Sequence, residues 1–292
     1  MKYGIFYAYW ESEWGGDYLK YVDKVAGLGF DVLEIGGQIA DEYSKEQIKE
    51  LSDRAKAAGI ELTIGYGPSY ANNIATADKE ARKNALKWYT KLFEVMQQLD
   101  SHLVGGAIYS YWPIDYSKGV NKEEDWKNSV EGMRVLGELA QKYDVNIGLE
   151  VLNRFENHIL NTAEEALSYV REVGLSNVKI MLDTFHMNIE EVSIRQAILT
   201  AGKHLGHFHT GECNRMVPGK GRMPWREIGE ALRDINYQGT VVMEPFPVKG
   251  GAVGADIKLW RDIVANTPQK EAILDKDARD ALIFQHYMFD KA

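Results

Sequence analysis

The chain has 292 residues, 45% of them hydrophobic and 26% charged, which is an ordinary composition for a globular protein and long enough for a large core. Its 34 Lys and Arg against 43 Asp and Glu leave a formal charge of −9 and a pI near 5.4, which speaks against a nucleic-acid partner and the basic face such a partner needs. No apolar stretch approaches the ~20 residues of a membrane span. The N-terminus lacks a signal peptide's apolar core, and Cys213, the sole cysteine, permits no internal disulfide, so a cytoplasmic location is expected.

Lys2 to Trp10 mixes aliphatic and aromatic residues and reads as a strand. Asp17 to Gly29 sets Tyr18, Tyr21, Val22, Val25 and Leu28 at helical spacing and stops at glycine. A strand follows at Asp31 to Ile35. Ser44 opens a helix, with Gln47 completing a capping box and Gly59 ending it. Glu61 to Gly67 is a third strand, Asp78 to Leu99 a long helix, and His102 to Ser110 a fourth strand interrupted by Gly105 and Gly106. A helix covers Lys122 to Tyr143 and a strand Asn146 to Leu152. Thr162 caps the next helix, three residues before Glu165. Val178 to Asp183, Leu205 to Thr210 and Gly239 to Glu244 are the last three strands. Helices are expected at Ile189–Ala201, Pro224–Ile235, Ile257–Val264 and Asp275–Phe289.

Strand and helix alternate eight times at intervals of roughly thirty to forty residues, the size of a βα unit, with no linker-like tract. This predicts an α/β fold: a single-domain (β/α)8 TIM barrel over residues 1–292 with an additional C-terminal helix. A doubly wound open sheet is the alternative. It normally carries a Gly-rich turn after its first strand, and Tyr7-Ala8-Tyr9-Trp10 is not one.

In a barrel, chemistry sits at the C-terminal ends of strands. Glu150, Asp183, His209 and Glu244 occupy those ends on the fifth to eighth strands. A carboxylate ending an apolar strand is costly to bury unless a cation, a metal or hydrogen bonds compensate it. Three carboxylates and an imidazole suit a divalent ion of the Mn, Co or Mg type, whereas a structural zinc site favours Cys and His. Unrelated ion pairs are the plainer alternative. His207 competes with His209, since residues two apart share a face, but His209 is nearer the strand end. His207 and His204 read as core.

His186, Arg215 and Glu156 follow closely and could hydrogen-bond a polyhydroxylated ligand; Glu156 could equally staple Arg154 or Arg215. Of the aromatic residues near the first, third and fourth strand ends, Trp14 and Trp112 fall on loops and suit a sugar-facing wall, while the others suit core. Gly65 and Gly67 either admit a ligand near the backbone or shape a turn. Cys213 is read as a bystander near the site.

The stretches Leu149-Glu150-Val151-Leu152-Asn153-Arg154-Phe155-Glu156, Met181 to Asn188, His207 to Arg215, Val242-Met243-Glu244-Pro245-Phe246 and Tyr109 to Tyr116 together resemble the D-tagatose 3-epimerase family of ketose 3-epimerases, nearest its D-psicose (D-allulose) branch. The resemblance covers nearly the whole chain. It implies one divalent metal per subunit, Mn²⁺ first with Co²⁺ or Mg²⁺ as alternatives, held by Glu150, Asp183, His209 and Glu244. It implies a ketohexose substrate whose C1–C3 oxygens meet Glu156, His186 and Arg215, against walls that include Phe6, Trp14, Gly65, Gly67, Trp112 and Phe246. It further implies a homodimer or homotetramer. One departure is visible: that branch often carries Tyr where this chain has Phe6.

The implied reaction interconverts D-fructose and D-psicose, and D-tagatose with D-sorbose, by moving the C3 proton through a metal-stabilised cis-enediolate. Inversion calls for carboxyl groups on both faces, and Glu150 and Glu244 are the expected pair. An aldose–ketose isomerase would use the same logic between C1 and C2. A non-catalytic sugar-binding barrel would bind without turnover.

Overall fold

Eight parallel strands close in chain order into a barrel in the computed structural model, which describes residues 1–290. They are β1 (Lys2–Phe6), β2 (Val32–Gly36), β3 (Glu61–Gly65), β4 (Leu103–Gly106), β5 (Asn146–Glu150), β6 (Val178–Asp183), β7 (Leu205–Thr210) and β8 (Thr240–Met243). β8 pairs with β1 through Lys2↔Thr240 to Ile5↔Met243, so the sheet has no free edge.

The helices are α1 (Tyr18–Leu28), α2 (Ile39–Glu42), α3 (Lys45–Ala58), α4 (Lys79–Leu99), α5 (Lys122–Gln141), α6 (Ala163–Val173), α7 (Thr184–Glu190), α8 (Ile194–Ala201), α9 (Trp225–Asp234), α10 (Gly251–Asp256) and α11 (Lys270–Phe289). Their starts follow local chemistry. Asp17, Asp78 and Thr162 accept backbone N–H groups at the starts of α1, α4 and α6, and the Ser44–Gln47 capping box forms at α3.

The barrel interior mixes absent and large side chains. A Cβ on Gly105 would lie 2.6 Å from Met181 Sδ and 3.2 Å from His207 Cδ2, so this glycine makes room for Met181 and His207.

Several elements end earlier than their apolar runs suggest. β1 stops at Phe6, and Tyr7–Tyr9 form a tight helical turn. β4 stops at Gly106, whose φ of 123° suits glycine and whose Cβ would meet Tyr66 O at 2.2 Å. The helix expected over Ile189–Ala201 is two helices. Asp183 caps α7 directly from the strand end, and Ser193 starts α8 by accepting the Gln196 N–H. The helix expected over Ile257–Val264 lies earlier, as α10. It is docked by Val253 N–H on Ser12 O and ended by Lys258 in a left-handed conformation. α11 begins at Lys270, five residues ahead of expectation, and packs Leu274, Ala278, Ala281, Leu282 and Phe289 into the core. Phe284 and Met288 also pack on the barrel, while Tyr287 is exposed.

Candidate metal centre and substrate pocket

Glu150 ends β5, Asp183 ends β6, His209 lies one residue before the end of β7, and Glu244 follows β8 directly. Asp183 and His209 are register partners on adjacent strands. One donor atom from each of the four side chains lies within 4.8 Å of all the others. His209 Nδ1 is 3.5 Å from Glu244 Oε1 and 4.0 Å from Glu150 Oε1.

Three atoms of this cluster, Glu150 Oε1, Asp183 Oδ2 and His209 Nδ1, are buried without a hydrogen-bond partner. Buried polar atoms are nearly always paired, so three orphans converging on one point fit a cation-binding site. Burial, joined by the Glu244 charge, pushes the Glu150 carboxyl well above the usual carboxylate range. Burial also raises Asp183. A divalent ion would reverse both effects, and the hard oxygen and imidazole donors suit Mn²⁺, Co²⁺ or Mg²⁺.

His186 Nδ1 accepts the Asn153 backbone N–H at 3.2 Å, which leaves the ring proton on Nε2, 3.7 Å from Glu150 Oε1. Burial holds the His186 pKa below its ordinary value. Glu156 accepts from Asn153 Nδ2 at 2.9 Å and from Trp112 Nε1 at 3.2 Å. Burial favours its neutral form, but the neighbouring His186 and Arg215, with the hydrogen bonds from Asn153 and Trp112, outweigh this and hold Glu156 below the usual range. Arg215 spans the group: its Nη1 is 3.4 Å from Glu244 Oε2 and 3.8 Å from Asp183 Oδ2, and its Nη2 is 3.7 Å from Glu156 Oε1. The guanidinium rests 3.7 Å from the Phe185 ring centroid.

These groups open into a cavity of about 440 Å³ lined also by Phe6, Trp14, Gly65, Gly67, Trp112 and Phe246. Trp14 meets Trp112 and Phe246 edge-on at 5.9 and 6.1 Å. The glycines serve these walls. A Cβ on Gly65 would press Phe6 at 3.0 Å, and one on Gly67 would press Trp112 at 3.1 Å.

Other expectations resolve individually. Tyr7, Tyr9 and Tyr109 are core. His207 is core and hydrogen-bonded, but His204 is only partly buried, because it lies in the turn before β7. Arg154 pairs with Glu190 rather than Glu156. Glu34, on β2, was not singled out by the sequence reading, although a carboxylate inside an apolar strand is the same signal that marked Glu150. It is wholly buried, and its Oε1 lies 2.6 Å from His209 Nε2.

A family model described as xylose isomerase-like TIM barrel matches residues 22–264. The chain is 55% identical over 290 residues to the D-psicose 3-epimerase of Ruminiclostridium cellulolyticum, covering 99% of this chain and 98% of that one. It is 53% identical over 291 residues to the D-psicose 3-epimerase of Enterocloster bolteae, covering 99% and 96%. A crystal structure of D-psicose 3-epimerase in the presence of D-fructose matches with a TM-score of 0.97 at 50% identity, over 100% of both chains. The barrel and its mouth therefore define a xylose isomerase-like enzyme. More narrowly, the chain belongs to the metal-dependent ketose 3-epimerases, among the D-psicose 3-epimerases, and is an isomerase by class.

Proposed function

We propose that the chain interconverts D-fructose and D-psicose by inverting C3, with D-tagatose and D-sorbose as a second pair. The observation that carries this reading is the convergence of Glu150, Asp183, His209 and Glu244, three of them with unpaired buried atoms, on a pocket walled by aromatic rings. A divalent cation held by these four, Mn²⁺ first and Co²⁺ or Mg²⁺ as alternatives, would supply the Lewis acidity that makes a proton α to a carbonyl removable. The relatives' names supply the substrate class.

The chain's own residues do the rest. One of Glu150 and Glu244 takes the C3 proton, and the C–H electron pair moves into the C2–C3 bond as the carbonyl π pair moves to O2. The other, protonated, delivers a proton to the opposite face of C3. The roles exchange in the reverse direction. Arg215, His186 and Glu156 orient the oxygens at C1–C3, with the His186 Nε2–H and the Arg215 guanidinium as donors. Trp14, Trp112, Phe6 and Phe246 exclude water and pack on C–H faces. A cytoplasmic homodimer or homotetramer completes the reading; light scattering on the purified protein tests the assembly.

The test is a product assay. Metal-stripped protein is incubated with D-fructose in D₂O, with and without Mn²⁺. D-psicose labelled at C3, formed only with metal, is the expected result. Glucose or mannose would place the proton transfer between C1 and C2 instead. Binding without turnover would make the chain a sugar-binding barrel.

A further inference from the structure

Below the four-donor cluster, and joined to it through His209, lies a second buried polar group whose other members contribute no atom to the pocket reaction. Glu34 Oε1 meets His209 Nε2 at 2.6 Å; Oε2 meets His207 Nε2 at 2.8 Å and accepts from the Thr63 hydroxyl at 2.9 Å. His207 Nδ1 is 2.6 Å from Thr240 Oγ1. Glu34, His207, His209 and Thr63 are all at most 1% exposed. A carboxylate can only accept, so both imidazoles present Nε2–H to it. On His207 the remaining nitrogen accepts from Thr240. On His209 the remaining lone pair, Nδ1, is the orphan atom beside Glu150 and Glu244.

We propose that Glu34 is the positioning residue of the metal centre. It holds His209 in the Nε2–H tautomer, fixes the ring plane, and places an anion one imidazole away from the cation. Thr63, His207 and Thr240 in turn hold Glu34. A free imidazole divides between two tautomers and rotates, whereas a carboxylate-bound one presents a single, more basic nitrogen to the metal. β2 and β7 are not neighbours in the sheet, so this contact crosses the barrel interior. Gly65 leaves the space it needs: a Cβ there would lie 3.1 Å from Glu34 Oε1. The inference rests on the four-donor reading and adds a residue outside that set.

Glu34→Gln keeps the shape and removes the charge, and its amide N–H opposes the His209 Nε2–H. Calorimetric titration of metal-stripped, folded protein with Mn²⁺ should show affinity reduced 10–100-fold. Turnover at saturating Mn²⁺ should return to within a few-fold of wild type, a split that general misfolding does not produce. A folded variant binding Mn²⁺ within twofold of wild type overturns the proposal while leaving the four-donor reading intact. Wild-type protein that binds no Mn²⁺ overturns both. Should Glu34→Gln fail to fold, ¹⁵N-histidine spectra of wild-type protein loaded with diamagnetic Zn²⁺ decide. A slowly exchanging His209 Nε2 proton supports the proposal, and a rapidly exchanging or absent one overturns it.

Discussion

Glu150 carries a buried oxygen with no partner, and Glu244 sits across the same small space within reach of Arg215. Removing either carboxylate's basicity while keeping its shape tests its acid–base and metal-holding roles together. Glu150→Gln and Glu244→Gln are each expected to lower turnover by roughly 10²–10⁴-fold, the usual worth of acid–base catalysis, while ketose binding stays measurable by calorimetry. Near-normal D-psicose formation by either variant contradicts the two-carboxylate scheme. At Phe6 the expected effect is smaller. Its ring stands edge-on to Phe246 at 6.1 Å, and no hydroxyl reaches the pocket from that position. Phe6→Tyr would add one hydrogen bond, worth about 0.5–1.5 kcal/mol. It should shift the D-psicose to D-tagatose preference in kcat/KM by about twofold to tenfold without altering Mn²⁺ affinity. An unchanged ratio would show that the wall does not choose the ketose.

The loop after β7 shows how an element delivers a side chain. Glu212, fully buried, accepts from Gly219 N–H and Trp225 Nε1 at 2.7 Å each and from Met223 N–H at 3.1 Å. This binds the loop to the start of α9 and holds Arg215, whose φ of 62° is costly outside glycine. Glu212→Ala leaves two buried donors, the Met223 N–H and Trp225 Nε1–H, unsatisfied at about 1–3 kcal/mol each, and also releases the Gly219 N–H. A lower melting temperature and at least a tenfold loss in kcat/KM are expected; wild-type kinetics would show that Arg215 holds its place unaided. The signals that made elements legible were equally local. Caps at Ser44 and Thr162, the glycine stops and the apolar stripes marked helices well. Strand ends were less legible, because Tyr7–Tyr9 and Ala107–Tyr109 stay apolar or aromatic after the chain has left the sheet. α10 was misplaced because what anchors it is Ser12, distant in sequence.

At the scale of the whole molecule, metal and protons compete for the same carboxylates. With no metal bound, burial raises the Glu150 and Asp183 pKa values, so the folded state keeps protons that the unfolded chain releases. Their contribution to stability is full below the ordinary carboxylate range and is lost as pH rises through the raised folded values. Metal-stripped protein should therefore lose this contribution as pH rises from mild acid toward neutrality, while His186 and His207, whose pKa values burial lowers, pull the other way. The stabilisation by saturating Mn²⁺ should grow over the same range, because the ion favours the deprotonated donors. At 100 times its Kd the ion would add about 2.7 kcal/mol. Melting curves with and without metal across that range check the sign; a metal-induced gain in melting temperature that does not grow with pH would contradict it. The C-terminal helix belongs to the same fold. Tyr9 OH donates to Leu274 O at 3.0 Å, and Gln285 Nε2 donates to Thr210 Oγ1 at 2.6 Å, beside His209. Deleting residues from 270 onward is expected to cost solubility, not merely assembly.

The sequence by itself determined the alternation of eight strands and helices, and the carboxylates and imidazole at the ends of the last four strands. Periodicity, caps and the cost of burying a charge are properties of neighbouring residues. It also marked Glu156, His186 and Arg215 as near the mouth, since each follows a strand-end donor closely. Only the tertiary structure decided that His209 presents Nδ1 to the cluster, that Arg154 turns to Glu190, and that Glu34 lies under the site from across the barrel. Those outcomes depend on closure of the sheet, which brings side chains 175 positions apart into hydrogen-bond contact, a distance over which no local pattern carries information.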